Sequence, residues 1–185
     1  HLNAVVLILI ATVALINLIA TRSTAAREFE DRPGVFYALY LLFVTGLMGI
    51  VITGDIFNLY VLLEIASLSG YALLGMGSGR AAVSTLSYLF IGTIGASLYL
   101  FGAGYLYIAT GSLNMADIAA ILPTIEQTGV IQVSFILCLI GLFMKMAFFP
   151  LHTWLPNAYT HAPNSSASLI APLTTKVMIY VMIRI

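Results

Sequence analysis

The chain has 185 residues, of which 61% are hydrophobic and only 8% are charged, and its formal net charge is zero. Soluble domains are usually about a quarter charged, so this composition excludes a soluble fold and predicts an all-α protein embedded in the lipid bilayer. The neutral balance argues against nucleic acid as a partner, and a single cysteine, Cys138, excludes an internal disulfide and a CxxC metal or redox site.

Six apolar stretches can cross a bilayer, because a spanning helix needs about 20 mostly apolar residues. In chain order, the predicted spans are residues 2–20, 34–53, 56–76, 82–109, 130–159 and 166–185. The fifth is too long for one straight helix, and we expect a break near residues 146–151. The segment "MADIAAIL" before it predicts a short interfacial helix, and the stretch between the first two spans predicts a charged loop. Since the chain ends inside an apolar run, we expect a single transmembrane region that is a fragment of a longer protein.

Arginines set the expected orientation of these spans. When the connections alternate between the two sides, Arg22, Arg27, Arg32 and Arg80 share one side, and Arg184 is alone on the other. Cytoplasmic loops carry an excess of basic residues. We therefore expect a multi-pass protein of the cell inner (plasma) membrane with its arginine-rich loops in the cytoplasm.

The third span carries an unusual acid. Glu64 lies near its middle, in a polar stripe at helical spacing that also contains Tyr60, Ser67 and Tyr71. Such a stripe can hold water or hydrogen bonds along one helix face, although aromatic residues at this spacing are also common in packed cores. Asp55, just before the span, is expected to cap the helix.

The fourth span has small residues along one face, at Gly92, Gly95 and Gly102, with Tyr99 among them. Small residues allow neighbouring helices to approach closely. We interpret this face as a packing surface without a direct role in function.

The fifth span contains the sequence "KMAFFPLHTWLP", residues 145–156. Pro150 has no N–H group and clashes with the carbonyl four residues earlier, so it predicts a helix break just after Lys145. Backbone groups freed at membrane depth persist only where they line a cavity or are buried in protein. His152 and His161, which follow the break, are candidates for relaying protons or for structural hydrogen bonds. Trp154 is expected to be an interfacial anchor.

Glu64, Lys145 and Lys176 are predicted to lie at similar depth, near the middle of the membrane. Each costs roughly 2.5 to 3.5 kcal/mol to insert there, so such residues usually face a bundle interior or an aqueous cavity. A glutamate and a lysine can also form an inert pair that holds helices together. Three groups at one depth favour a proton pathway over such a pair.

Four segments together resemble the proton-translocating antiporter-like family: "GDIFNLYVLLEIASLSGYALLGMG", "GYLYIATGSLNMADIA", "KMAFFPLHTWLPNAYTHAP" and "LTTKVMIYVMIRI". This family contains the antiporter-like subunits of respiratory complex I, their counterparts in membrane-bound hydrogenases, and the large subunits of Mrp-type sodium/proton antiporters. The segments "FNLYVLLE" and "LTTKVMIYVMIR" look most similar to the D-type subunit of Mrp antiporters. The chain departs from the family pattern at "HAPNSSAS", which makes the start of the last helix more polar.

The resemblance implies a bundle of about fourteen helices with two inverted five-helix repeats, of which this chain would hold the third to eighth helices and so the first repeat. It implies that Glu64, Lys145 and Lys176 form a midplane proton relay. It also implies partners: other membrane subunits of an antiporter or redox complex, protons, and on the antiporter branch Na+. Neither the residues nor the resemblance suggests a cofactor or a metal.

Three classes of function compete for these residues. The leading hypothesis is a proton-translocating subunit of a monovalent cation/proton antiporter or of a related redox-driven pump. In a redox-driven pump, the subunit would belong to the proton-pumping arm of a quinone oxidoreductase or hydrogenase. The alternative is a structural membrane anchor with no transport of its own. An intramembrane enzyme has little support, since the sequence lacks GxSxG and HExxH motifs.

Overall fold

The computed structural model describes residues 1–77, 79–126 and 128–185; Ser78 and Gln127, both in predicted connections, lie outside this range. Regular structure in the described residues is helical, with one isolated β-bridge between Asp55 and Asn114. The helices are α1 (Leu2–Ala20), α2 (Arg22–Glu28), α3 (Pro33–Ile52), α4 (Ile56–Gly75), α5 (Ala81–Thr110), α6 (Met115–Ile121), α7 (Thr128–Lys145), α8 (Trp154–Thr160) and α9 (Asn164–Arg184).

Six of these helices are long and apolar enough to cross a membrane: α1, α3, α4, α5, α7 and α9. The all-α membrane fold expected from composition is therefore confirmed, and the short helix predicted at "MADIAAIL" is present as α6. The buried faces of the six long helices form one core, whereas α1 lies at the edge and exposes most of its surface.

The segment between the first two spans is not the loop that its charges predicted. Residues 22–28 form α2, because its alanines favour helix and it has an apolar surface to bury. Ala25 is buried, and the ring of the following Phe29 stacks on Phe36 at a centroid distance of 4.4 Å. Packing against α3 thus outweighs the charged composition of this segment.

Close approach of α5 and α7 depends on glycine. A side chain at Gly102 would place its Cβ 2.7 Å from the Ser134 carbonyl oxygen, and one at Gly95 would place it 3.0 Å from the Gly141 carbonyl oxygen. The small residues of the fourth predicted span therefore serve packing, as expected. Gly141, on α7, contributes to the same crossing and was not singled out from the sequence.

One end of the bundle is fixed by hydrogen bonds at the ends of α3, α4 and α9. Asp55 caps α4 by accepting from the backbone N–H of Asn58 at 2.7 Å, as its position predicted. The carbonyl of Val51, in the last turn of α3, accepts from the Tyr180 hydroxyl at 3.1 Å and from Arg184 at 3.2 Å. These contacts fix the end of α9 against α3.

The opposite end is fixed by Glu28. Its two carboxylate oxygens accept from the backbone N–H groups of Asn164 at 2.9 Å and Ser165 at 3.1 Å. These are unpaired donors of the first turn of α9, where negative charge is favoured. An acid from α2 therefore caps a helix that begins 136 residues later, and the sequence gives no sign of this pairing.

Candidate functional site

The central feature of the site is an ion pair between α4 and α7. Lys145, the last residue of α7, donates from Nζ to Glu64 Oε1 at 3.3 Å and to Ser67 Oγ at 2.6 Å. Glu64 and Ser67 lie three residues apart on α4, so their side chains share a face. The contact expected from the shared depth of Glu64 and Lys145 is therefore present.

The two partners differ in burial. The side chain of Lys145 is 4% exposed, whereas that of Glu64 is 23% exposed. The ring of Tyr71 covers the lysine from another direction, with Nζ 6.0 Å from the ring centroid. A charge this deeply buried is tolerated only with a partner, and removing that partner costs several kcal/mol. The pair therefore couples the charge of the lysine to the position of a more accessible acid.

The helix break beside Lys145 has a defined geometry. The backbone N–H of Phe148 donates to the Phe143 carbonyl at 3.0 Å, and that of Ala147 donates to the Met144 carbonyl at 3.4 Å. Ala147 has a positive φ of 56°, and the Phe143 and Phe148 rings stack at 4.8 Å. These features form a Schellman motif, which ends a helix and satisfies its last carbonyls.

The break was expected from Pro150 just after Lys145, and α7 does end at Lys145, five residues before that proline. Helical structure resumes at Trp154 in α8. Glycine usually occupies the left-handed position of a Schellman motif. Ala147 occupies it here, so the sequence predicted the place of the break but not the turn that ends the helix.

Trp154 is not the interfacial anchor that its type suggested. Its side chain is 2% exposed, and its ring stacks on Tyr88 at a centroid distance of 4.0 Å. Its indole N–H donates to the Met144 carbonyl at 3.2 Å. Trp154 is buried because the Met144 carbonyl, freed at the end of α7, needs a hydrogen-bond donor. It thereby joins α8 to the turn that carries Lys145.

The other sequence candidates lie apart from this contact. Lys176 is exposed on α9, and its Nζ donates to the Ala171 carbonyl of the same helix at 3.4 Å. His152 is exposed in the stretch between α7 and α8, where its ring lies 5.6 Å from that of Phe149. His161 is exposed at the end of α8 and lines a cavity of about 410 Å³ that also contains Glu28. The structure brings together Glu64 and Lys145 but leaves Lys176 and both histidines outside the pair.

A small cavity adjoins Lys145. It has a volume of about 10 Å³ and lies between α3, α4, α5, α7 and α9. Its polar lining comes from Ser67, Tyr88, Lys145 and Thr174. Thr174 was not among the residues predicted from the sequence, although it lies two residues before Lys176. Only packing shows that this threonine, and not Lys176, faces the buried lysine.

Clusters of metal-ligating side chains do not occur among residues 1–77, 79–126 and 128–185: no three His, Cys, Asp or Glu groups come together. The ionisable and hydroxyl groups of the site can hold and exchange protons.

Comparison with known proteins gives consistent matches. The family model described as "NADH:quinone oxidoreductase/Mrp antiporter, TM" matches residues 53–185. The chain is 45% identical over 179 residues to the N subunit of the NADH-quinone oxidoreductase of Desulforudis audaxviator, covering 97% of this chain and 36% of the relative. It is 36% identical over 178 residues to the D subunit of the Na+/H+ antiporter of Alkalihalophilus pseudofirmus, covering 96% of this chain and 36% of the relative.

A solved structure gives the same result for the fold. The chain superposes on the Mrp complex of a Dietzia species with a TM-score of 0.78 and 27% identity, covering 97% of this chain and 34% of that one. The chain thus spans about a third of the length of the proteins that it matches. Oxidoreductase and antiporter relatives are both represented, with higher identity to the oxidoreductase relative than to the antiporter relative.

Proposed function

Because the chain belongs to the NADH:quinone oxidoreductase/Mrp antiporter family of membrane subunits, we propose that it forms the proton-translocating part of a longer subunit. That subunit works in a monovalent cation/proton antiporter or in a related redox-driven pump. Glu64, Lys145 and Lys176 carry the proton, and the rest of the subunit together with other membrane subunits completes the pathway.

The observation that carries this proposal is the ion pair at the helix break. Lys145 is almost fully buried, is paired with Glu64, and is the last residue of α7. A helix C-terminus favours positive charge, so the ammonium has two sources of stabilisation at one place. Discontinuous helices with charged groups at the membrane midplane recur in ion transporters.

The pair offers a way to load and unload a proton. With Glu64 in contact, the charged lysine is stabilised and keeps its proton. When Glu64 moves away or becomes protonated, the ammonium loses its partner in a buried site, where an unpaired charge is costly. Release of the proton removes that cost. Movement or protonation of Glu64, the more accessible partner, is therefore sufficient to make the buried Lys145 release its proton.

The remaining assignments rest on the same proposal. Lys176 receives the proton on the α9 side, and His152 and His161 relay protons between the break and the adjoining surface. The arginine-rich connections face the cytoplasm from the inner (plasma) membrane. On the antiporter branch the exchanged cation is monovalent, as the name of the Na+/H+ antiporter relative indicates for that protein.

The test is transport by the full-length protein, assembled with its partner subunits, in membrane vesicles. Lys145→Ala and Lys145→Arg should both abolish proton-coupled transport, since alanine carries no proton and arginine does not release one. Glu64→Gln should reduce it strongly. The matched control is Glu126→Gln, which removes an exposed acid from a connection and should transport at the parent rate.

Assembly is checked on native gels for every variant. Loss of transport with intact assembly supports the proposal. If both Lys145 variants transport at the parent rate, the lysine is structural, and the chain acts as a membrane anchor within its complex.

A further inference from the structure

Thr174 and Lys145 line the same small cavity from two different helices. We propose that Thr174 positions a single water molecule against the Lys145 ammonium, and that this water takes the lysine's proton toward α9. The inference rests on the proposed function and adds to it the group through which the proton leaves the ion pair.

The Thr174 hydroxyl is buried, and it has no hydrogen-bond partner within the described parts of the chain. Six other serine or threonine hydroxyls in the helices donate to the carbonyl four residues earlier: those of Ser69, Thr93, Ser97, Thr110, Thr160 and Ser168. Thr174 makes no such bond to Ile170. Because a buried hydroxyl without a partner is costly, its free lone pairs and proton indicate a partner other than protein.

The lysine, in turn, has one N–H donor without an acceptor. An ammonium group has three N–H donors and no acceptor. Two of them have acceptors, Glu64 Oε1 and Ser67 Oγ. For the third, the described residues supply no acceptor. One donor and one hydroxyl are therefore left unpaired on the walls of one cavity.

The cavity matches one water molecule in size, and polar side chains interrupt its largely apolar lining. Its volume is about 10 Å³, and roughly 10 to 15 Å³ of space for a water-sized probe is the minimum for one water. Such a water needs two to four polar partners. The side chains of Lys145 and Thr174 can supply two, and those of Ser67 and Tyr88 also border the space.

The placement of the partners gives the transfer a direction. Glu64 and Ser67 both belong to α4, so the two existing bonds of Lys145 lead back to that helix. Thr174 belongs to α9, the helix that carries Lys176. A proton that leaves Lys145 for α9 therefore leaves through its third N–H group.

Protons are conserved along this route. Lys145 gives one proton to the water, and the water gives one of its own to the Thr174 oxygen. The threonine releases its hydroxyl proton to the next base on the α9 side, which under the proposed function is the neutral amine of Lys176. At the end Lys145 is neutral, Lys176 is charged, and the water and the threonine are unchanged.

The experiment uses Thr174→Val, which replaces the hydroxyl with a methyl group of similar size, in the full-length assembled protein. Thr174→Ser restores a hydroxyl, and Thr175→Val makes the same change at the neighbouring residue, outside the cavity lining. Proton-coupled transport in vesicles should fall about tenfold in Thr174→Val, as expected for the loss of one hydrogen bond worth about 1.4 kcal/mol in the transfer step. Thr174→Ser and Thr175→Val should stay near the parent rate.

The readouts separate this inference from the function on which it rests. If Thr174→Val transports at the parent rate while Lys145→Ala does not, the water position is wrong and the proposed function stands. If Lys145→Ala also transports at the parent rate, the proposed function itself is overturned. Equal loss in Thr174→Val and Thr174→Ser, or equal loss in Thr175→Val, would show that packing of α9 matters and not the hydroxyl.

Discussion

The indole N–H of Trp154 donates to the carbonyl of Met144 across the helix break, at 3.2 Å. Met144 immediately precedes Lys145, so this bond fixes the turn that carries the buried charge. The same indole ring stacks on Tyr88 of α5 with an angle of 1° between the ring planes. The position of the lysine thus depends on a residue from the far side of the break.

Trp154→Phe should weaken the end of α7 without removing its apolar contact with Tyr88. The variant loses the donor, whose buried hydrogen bond contributes about 0.5 to 1.5 kcal/mol, and also part of the ring volume. We expect a destabilisation of at least that size in thermal unfolding of the detergent-solubilised protein. Trp154→Ala should cost about 3 to 5 kcal/mol, because it also opens a cavity. Equal effects of the two variants would show that the hydrogen bond contributes little.

Ala147→Gly should stabilise the protein. Ala147 has a φ of 56°, a conformation that costs a non-glycine residue roughly 1 to 2 kcal/mol. Part of this gain is lost because glycine is more flexible in the unfolded chain, which leaves a net gain of about 0.5 to 1 kcal/mol. The measurement is again thermal unfolding.

Ala11→Gly provides the control for that variant. Ala11 is exposed in the interior of α1, where φ is that of an ordinary helix. There the same change should destabilise by about 0.5 to 1 kcal/mol. A loss of stability in Ala147→Gly would argue against the left-handed turn at the end of α7.

Gly102→Ala should disrupt the contact between α5 and α7. The new Cβ would lie 2.7 Å from the Ser134 carbonyl oxygen and 2.9 Å from the Cys138 nitrogen, both of them backbone atoms that cannot swing away. Overpacking of this kind costs about 1 to 3 kcal/mol. Gly104→Ala is the matched control on the same helix, since nothing lies within 4 Å of its Cβ. If the two variants unfold at the same temperature, the close crossing is absent.

Glu28→Ala should destabilise the start of α9. The carboxylate accepts from two backbone N–H groups there, and the loss of a cap typically costs about 0.5 to 2 kcal/mol. Glu30→Ala removes a nearby exposed acid and should have no measurable effect. Hydrogen exchange of the first turn of α9 provides a local measurement, with faster exchange expected only in Glu28→Ala.

Much of the membrane architecture could be predicted from the sequence. Length and hydropathy identified six helices, because a bilayer requires continuous apolar stretches of a set length. Asp55 was correctly expected to cap α4. The contact between Glu64 and Lys145 could be predicted from the cost of burying a charge, since two buried charges of opposite sign are far more stable together than apart.

Other features depend on contacts between residues that are distant in the chain. Apolar composition does not distinguish a loop from α2, because that helix forms only where Phe29 can stack on Phe36. Nor does it separate a tryptophan at the interface from one that is buried at a helix end. In both cases the neighbouring helix supplies the stabilisation.

The sequence by itself determined that this protein lies in the lipid bilayer, how many spans it has and which acid and base pair at its centre. The number of spans follows from the helix length that a bilayer requires, and the pair follows from the cost of burying each charge. Only the tertiary structure decided which turn ends α7, which side chains satisfy its freed carbonyls, and that Thr174 faces Lys145 while Lys176 is exposed. These depend on the rotation and approach of helices, which are set by packing at glycines such as Gly102 and by caps such as Glu28, contributed from distant parts of the chain.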